Sequence, residues 1–329
     1  MNIKIRSERV ADYNGIANVN YEAFLGWHPD NQYVSESIMV DLLRHNSLFD
    51  PDLSLVAETG GQIVGYALFS PFKFIVLGAE QLGVVLAPVA VKPEFQNRGI
   101  GGMLIEEGHK RAESKGFSFS LLCGHPSYYP RFGYKTRMFS LSGAKVMVDA
   151  MSFNGDSFHE RPVSLKDLSR VMECWKDIHD HDGLALFPGT SISEWSNHGL
   201  QCRCTMVLKN DRVLGYARYV KTNVLSIKEL LAKTEDAADL LSYLAWKNYG
   251  SKQWEIHIPL SAEKMNSLIN VNDFFNALDE RNNHEAFMIK VLKEKSSIAG
   301  YCEQVEKGEI QPGIIAFPPM FDVDDGRVE

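Results

Sequence analysis

Glycines packed closely around one arginine are the residues of this chain whose spacing points most directly to chemistry. In Gln96-Asn97-Arg98-Gly99-Ile100-Gly101-Gly102 an apolar run, Leu82–Val91, passes through a loop into a helical segment. The backbone N–H groups of a helix's first turn have no partners inside the helix, and the macrodipole adds partial positive charge there. With no side chains at Gly99, Gly101 and Gly102, a diphosphate can sit on that end and accept several N–H bonds. Gln96 and Arg98 can fix the loop, and Arg98 can add a charge-assisted contact. Leu104 stands where G-x-G-x-x-G needs its last glycine, and no G-x-x-x-x-G-K-[ST] run occurs. Those two nucleotide loops are therefore excluded.

A second segment, Leu122-Cys-Gly-His-Pro-Ser-Tyr-Tyr-Pro-Arg-Phe-Gly-Tyr134, carries the adjacent phenols Tyr128 and Tyr129. A phenol of pKa about 10 can protonate a departing anion or hydrogen-bond to it. The residues do not decide between the two. Other reactive residue types read as structure. His179-Asp-His-Asp182 has metal-like chemistry but no partner cluster at fixed spacing, so it reads as a polar loop with no metal. His198 with Cys202-Arg-Cys204 offers ligands, yet the cysteines start a strand and share one face, which suits a core. Ser127 lacks a G-x-S-x-G setting.

These segments need a scaffold, and the patterning predicts one. Ile3 and Ile5 alternate as in a strand. Ile16, Val19 and Phe24 recur at helical spacing after Ser7, a candidate cap, and Pro29 ends that run. A second helix is predicted over residues 35–45. Strands at 53–58 and 62–69 flank Thr59-Gly60-Gly61, and the strand to Val91 follows. Pro88 cannot donate to a ladder, so it marks an edge or a bulge. A helix is predicted from Gly99 to about Lys115, then a strand at 117–123. This order implies an α+β (α/β layered) fold, a mixed central sheet flanked by helices.

From about residue 150 a second region is predicted. It has a helix capped by Ser164, a loop-rich stretch at 179–199, strands at 203–209, 212–220 and 224–231, a helix at 236–249, and strands at 253–259 and 287–292. Gln62-Ile-Val-Gly-Tyr-Ala67 resembles Arg212-Val-Leu-Gly-Tyr-Ala217, each after a hairpin turn, so the second region reads as a diverged copy of the first. The expected domains are 1–150, 151–295, and a loosely held tail, 296–329, rich in Gly, Pro and charge.

Composition bounds the partners. Of 329 residues 45% are hydrophobic and 23% charged, enough for two cores. A net charge of −8 disfavours nucleic acid. Five cysteines without paired spacing suit a reducing compartment. The N-terminus lacks a signal-peptide pattern, and no apolar run is long enough to cross a membrane. A cytoplasmic protein is expected.

The residues now support a resemblance. Gln96-Asn97-Arg98-Gly99-Ile100-Gly101 resembles the R/Q-x-x-G-x-G/A signature of the GNAT N-acetyltransferase superfamily, and Val89-Ala90-Val91-Lys92-Pro93-Glu94 resembles the strand leading into it. The resemblance implies acetyl-CoA as co-substrate, held by Val89, Ala90, Val91, Gln96, Asn97, Arg98, Gly99, Ile100, Gly101 and Gly102. Backbone groups of Val89 and Val91 would pair with the pantetheine arm, in the gap opened by a bulge. The family commonly has a Tyr four residues before a Gly-aromatic pair, which selects Tyr129, before Gly133-Tyr134, as the acid for the leaving thiolate. An acceptor amine must shed a proton before attack, and Glu22, Glu58, Glu94 and His125 are candidate bases. Phe24 and Trp27 would line the acceptor site or belong to the core.

Over its whole length the layout resembles the tandem GNAT proteins of the enhanced-intracellular-survival type, with Tyr129–Tyr134, Gly183 and Trp195 as familiar points. The chain has no room for their further sterol-carrier-like domain. Their use of a chain-terminal carboxylate as base would require Glu329 to fold into the site. The second copy lacks the Gly-rich loop, so it should not bind CoA and would shape the acceptor cleft or a contact in a homo-oligomer. The expectation is an N-acetyltransferase acting on a small-molecule or peptide amine by direct transfer in a ternary complex. The alternative is a non-catalytic acyl-CoA sensor.

Overall fold

The computed structural model describes residues 2–28, 34–199, 202–221, 223–269, 275–279 and 281–322. Its elements begin with β1 (Lys4–Ser7), α1 (Tyr13–Phe24), α2 (Glu36–Leu43), β2 (Ser54–Thr59), β3 (Gln62–Val76), β4 (Ala79–Val91), α3 (Ile100–Ser114) and β5 (Phe119–Cys123). They continue with β6 (Phe139–Ser140), β7 (Ala144–Asp149), β8 (Phe158–Pro162), α4 (Leu168–His179), β9 (Leu184–Phe187), β10 (Cys202–Lys209), β11 (Arg212–Lys221) and β12 (Leu225–Ala232). The last are α5 (Thr234–Tyr249), β13 (Gln253–Ile258), α6 (Ala262–Ile269), β14 (Phe275–Asp279), β15 (Phe287–Val291), α7 (Ser297–Glu306) and β16 (Gly313–Ile314).

The chain forms two compact units, and their borders differ from the expected 1–150, 151–295 and 296–329. The described residues of the first unit fall within 2–138 and 284–311, and those of the second within 139–283 and 312–322. β15 is not part of the second region: it adds to the first unit's sheet, antiparallel to β5 with Ile289 opposite Leu121. The predicted loose tail contains α7, which buries Ile298, Tyr301 and Cys302. Those apolar side chains recur every three to four residues, so burial drives the segment to fold.

In the first unit the strand order is β1-β2-β3-β4-β5-β15, with β4 and β5 parallel. α3 lays Ile100, Leu104, Ile105 and Ala112 on the core with Leu55, Val64, Ala67 and Phe69. Gly108 lets α3 approach closely, since a Cβ there would lie 1.9 Å from the Phe69 ring. Ser7 does not cap α1. It ends β1, and the turn before the helix is closed by Asp12, which accepts from Arg9 N–H at 2.7 Å and from Arg6 Nη1 at 2.6 Å.

The second unit repeats this plan. Its strand order is β14-β7-β13-β12-β11-β10-β8, so β8-β10-β11-β12-β13 reproduces β1-β2-β3-β4-β5. The repeated hexapeptides occupy equivalent places. Gly65 opposes Ala57 and Gly215 opposes Val207, and each hairpin has its bulge one residue further on. Tyr66 and Tyr216 are both fully buried. A second echo lies outside the hexapeptide: Arg161 grips Asp167 at 2.6 and 2.7 Å, as Arg6 grips Asp12 six residues on. Arg161 together with the Ser164 bonds holds the Asp167 carboxyl down at about 2.

Candidate active site

The first unit's sheet opens beside the parallel pairing of β4 with β5. β4 and β5 pair only at Val84–Ser120 and Val85–Leu121, after which β4 runs on to Val91. The cause is the bulge expected from Pro88. Val89 is opposite Ala67 and Leu86 opposite Phe69, so Ala87 and Pro88 stand against the single Leu68. Beyond the bulge, Lys92 N–H donates to Val64 O at 3.0 Å, and Ala90 is level with Tyr66. Main-chain groups alternate sides along a strand. Ala90 therefore turns its polar groups to β3 and away from the opened side. Val89 and Val91 turn theirs to the opened side, and Val91 O accepts from Gln96 Nε2 at 3.0 Å.

The loop beyond β4 is exposed and tightly shaped. Asn97 and Gly99 adopt left-handed backbone, with φ of +59° and +79°. Glycine takes that conformation at no steric cost. Arg98 Nη2 donates to Glu94 O at 2.9 Å, bracing the loop. In α3, Met103 N–H donates to Gly99 O, so the N–H groups of Ile100, Gly101 and Gly102 fall in the first turn, ahead of the helical ladder. Ile100 buries its side chain in the core and offers the loop only its backbone.

The tyrosine segment lies beside this helix end. A Cβ on Gly101 would come within 2.7 Å of the Tyr128 hydroxyl, and one on Gly102 within 3.3 Å of the Phe132 ring. The Arg131 guanidinium stacks on Tyr128 at 3.9 Å. Tyr129 turns the other way, over the end of β5: a Cβ on Gly124 would lie 2.4 Å from its ring. Burial, with Tyr128 and Cys123 adding, pushes the Tyr129 phenol up to about 12, so the hydroxyl keeps its proton across the neutral range. Next to it, Tyr134 bonds Ser120 Oγ at 2.7 Å and His109 Nε2 at 2.9 Å. The sequence reading missed this buried trio. His109 sits four residues from Ile105 on α3's core face, which was the available signal.

The candidate bases separate. Glu58 is held by Arg6 Nε at 2.7 Å, part of the brace at β1. Glu22 pairs with Lys92 at 3.0 Å near the end of β4. Glu94 and His125 are exposed, with His125 Nδ1 3.0 Å from Ser127 Oγ. Trp27 is 73% exposed and contacts Phe24 edge-on, so it is not core. Glu329 lies outside the described residues.

In the second unit the equivalent helix start, Lys233-Thr234-Glu235-Asp236, places two carboxylates in the first turn, and Asp236 is gripped by Arg212 at 2.7 Å. Such an end repels phosphate. His179 is buried against Asp182 at 2.7 Å and Glu229 at 3.8 Å, while Cys202 and Cys204 are buried on β10. His198 Nε2 lies 2.5 Å from Ser193 O. Among the described residues no group of three such side chains is placed to hold a metal ion, and no helix is long and apolar enough to cross a membrane.

Known proteins match the first unit in sequence and both units in fold. The acetyltransferase (GNAT) domain family matches residues 4–137. The uncharacterized N-acetyltransferase YjhQ of Escherichia coli strain K12 is 36% identical over 103 residues, which are 31% of this chain and 57% of YjhQ. The chain thus spans little more than half the length of that relative. A GCN5-related N-acetyltransferase from Kribbella flavida is 19% identical with a TM-score of 0.59, over 88% of this chain and 72% of its own. Eis1 from Mycobacterium abscessus is 15% identical with a TM-score of 0.59, over 88% of this chain and 74% of its own. At such identities these two structures speak for the fold alone. With the splayed strands, the left-handed loop and the family match in one stretch, residues 4–137 of the chain form an acetyltransferase (GNAT) domain.

Proposed function

We propose that the first unit binds acetyl-CoA and passes the acetyl group to a primary amine by direct transfer in a ternary complex. The observation that carries this reading is the opening of β4 from β5 on the strand whose loop leads into the bare first turn of α3. The N–H groups of Ile100, Gly101 and Gly102, with Gln96, Asn97, Arg98 and Gly99 shaping the approach, would take the diphosphate. Val89 and Val91 would pair with the pantetheine arm as a neighbouring strand does. An N–H on that edge would polarise the thioester carbonyl and stabilise the oxyanion that amine attack creates.

Tyr129 would then give its proton to the departing sulfur. A phenol held at about 12 stays protonated at neutral pH, so it has a proton to give to the negative charge that builds on the sulfur. Glu22 is the carboxylate next to the end of β4, through its bond to Lys92; it would help collect a cationic acceptor.

Tyr129→Phe tests the assignment. Turnover of acetyl-CoA with a panel of amines should fall about 100-fold, in the usual range for losing a general acid. CoA affinity by calorimetry should stay within about twofold, because the phosphate contacts lie elsewhere. A variant as fast as the parent would remove Tyr129 from the chemistry. A parent that binds CoA but acetylates no amine would favour a sensor.

A further inference from the structure

The tyrosine segment is anchored by a stretch of chain that follows it by some 150 residues. At one end, Gly124 N–H donates to Ala286 O at 3.0 Å. At the other, Lys135 N–H donates to Ile289 O at 2.8 Å, and Ile289 N–H donates back to Lys135 O at 3.0 Å. Met138 N–H donates to Phe287 O at 2.9 Å. α7 adds a second tier: the fully buried Tyr301 donates its hydroxyl to Met138 O at 2.7 Å, and Glu306 pairs with Lys135 at 2.7 Å. The left-handed Gly133 rests on Lys290, whose Nζ would be 2.7 Å from a Cβ there. Between these anchors the backbone makes short local turns, Tyr128 N–H to His125 O and Gly133 N–H to Pro130 O.

We infer that the segment from Ala286 to Glu306 is the positioning element for Tyr129, so that the unit's chemistry is set in part by chain lying beyond the second unit. The inference rests on the reading of Tyr129 as the acid. Proton transfer demands hydrogen-bond reach, and a displacement of about 1 Å at a reacting group can cost on the order of 100-fold in rate. The diphosphate loop has a different set of anchors, on β3, β4 and α3. Loosening β15 or α7 should therefore slow turnover while leaving CoA binding intact.

Tyr301→Phe in the full-length chain tests this, since it keeps the ring and removes one buried bond; Glu306→Gln is a milder second variant on the exposed side. In Tyr301→Phe, amide exchange at Gly124, Lys135 and Met138 should speed up about tenfold, with α3 amides unchanged. The kcat should fall about threefold to thirtyfold, with KM for acetyl-CoA and CoA affinity within about twofold. Glu306→Gln should move the Lys135 amide and kcat the same way, by less. Unchanged exchange over residues 124–138 would overturn the inference. So would kcat and CoA affinity falling together in step with melting temperature, which is a structural role only. An inactive parent would instead sink the acid reading, with the exchange arm still deciding whether the segment is held from β15 and α7.

Discussion

At the scale of single residues, burial sets protonation states in the first unit. Burial raises the Tyr129 phenol and lowers the His109 imidazole, each toward its uncharged form. Burial, with the Lys290 charge adding, lowers the His109 ring to about 3. An ordinary imidazole titrates near 6.5. The folded value is depressed, so this contribution to stability is complete above about pH 6.5 and drains away as pH falls toward 3. The slope is at most about 1.4 kcal/mol per pH unit. His179 works with the opposite sign: burial opposes its charge, but the bonds and charges of Asp182 and Glu229 win and raise it. Its contribution is lost as pH rises instead. Melting temperature from pH 7 down to pH 4 should therefore fall less steeply in His109→Gln than in the parent. Parallel curves would mean that His109 is not held neutral by the fold.

At the scale of elements, two glycines in one helix serve different ends. Gly101 is in the first turn of α3, against the end of a flexible tyrosine side chain, whereas Gly108 is pressed onto the Phe69 ring. Gly101→Val should cost little stability, because Tyr128 is only half-buried and can swing aside. It should weaken CoA binding about tenfold or more by blocking approach to the first-turn amides. Gly108→Ala should do the reverse, destabilising the unit by on the order of 2 kcal/mol through overpacking, with little change in CoA affinity once folded. Calorimetry and chemical denaturation on the two variants separate these outcomes; equal effects on both measurements would mean the helix has no such division.

At the scale of the whole chain, one strand plan is used twice and the glycine-bare helix start is kept once. The second unit reproduces the strand order, the hairpin register and the Arg–Asp brace of the first. Its helix start carries Glu235 and Asp236 where the first has Gly101 and Gly102. Calorimetry should therefore give one CoA per chain, unchanged in an Arg212→Ala variant that frees Asp236. A stoichiometry of two would show that the second unit retained the site.

The local chemistry of this protein was readable without a structure. Gln96–Gly102 could be read as a bare helix start because glycine there has a backbone consequence that neighbours cannot cancel. The hairpins, α3 and the internal copy were readable because periodicity and turn residues act over a few positions. Long-range pairing was not readable: Phe287–Val291 has a strand's pattern, but nothing in its composition says which sheet edge it will join. That choice depends on which edge has lost its neighbour. Ala144–Asp149 pairs with β13 in the second unit, and β5 takes β15 instead. Likewise α7 was mistaken for a loose tail because its stability comes from the surface it covers rather than from its own residues. The sequence by itself determined the glycine-bare helix start and the repeated plan. The tertiary structure alone decided which distant strand completes each sheet and holds the tyrosines in place, because such pairing is won by burial between segments far apart in the chain.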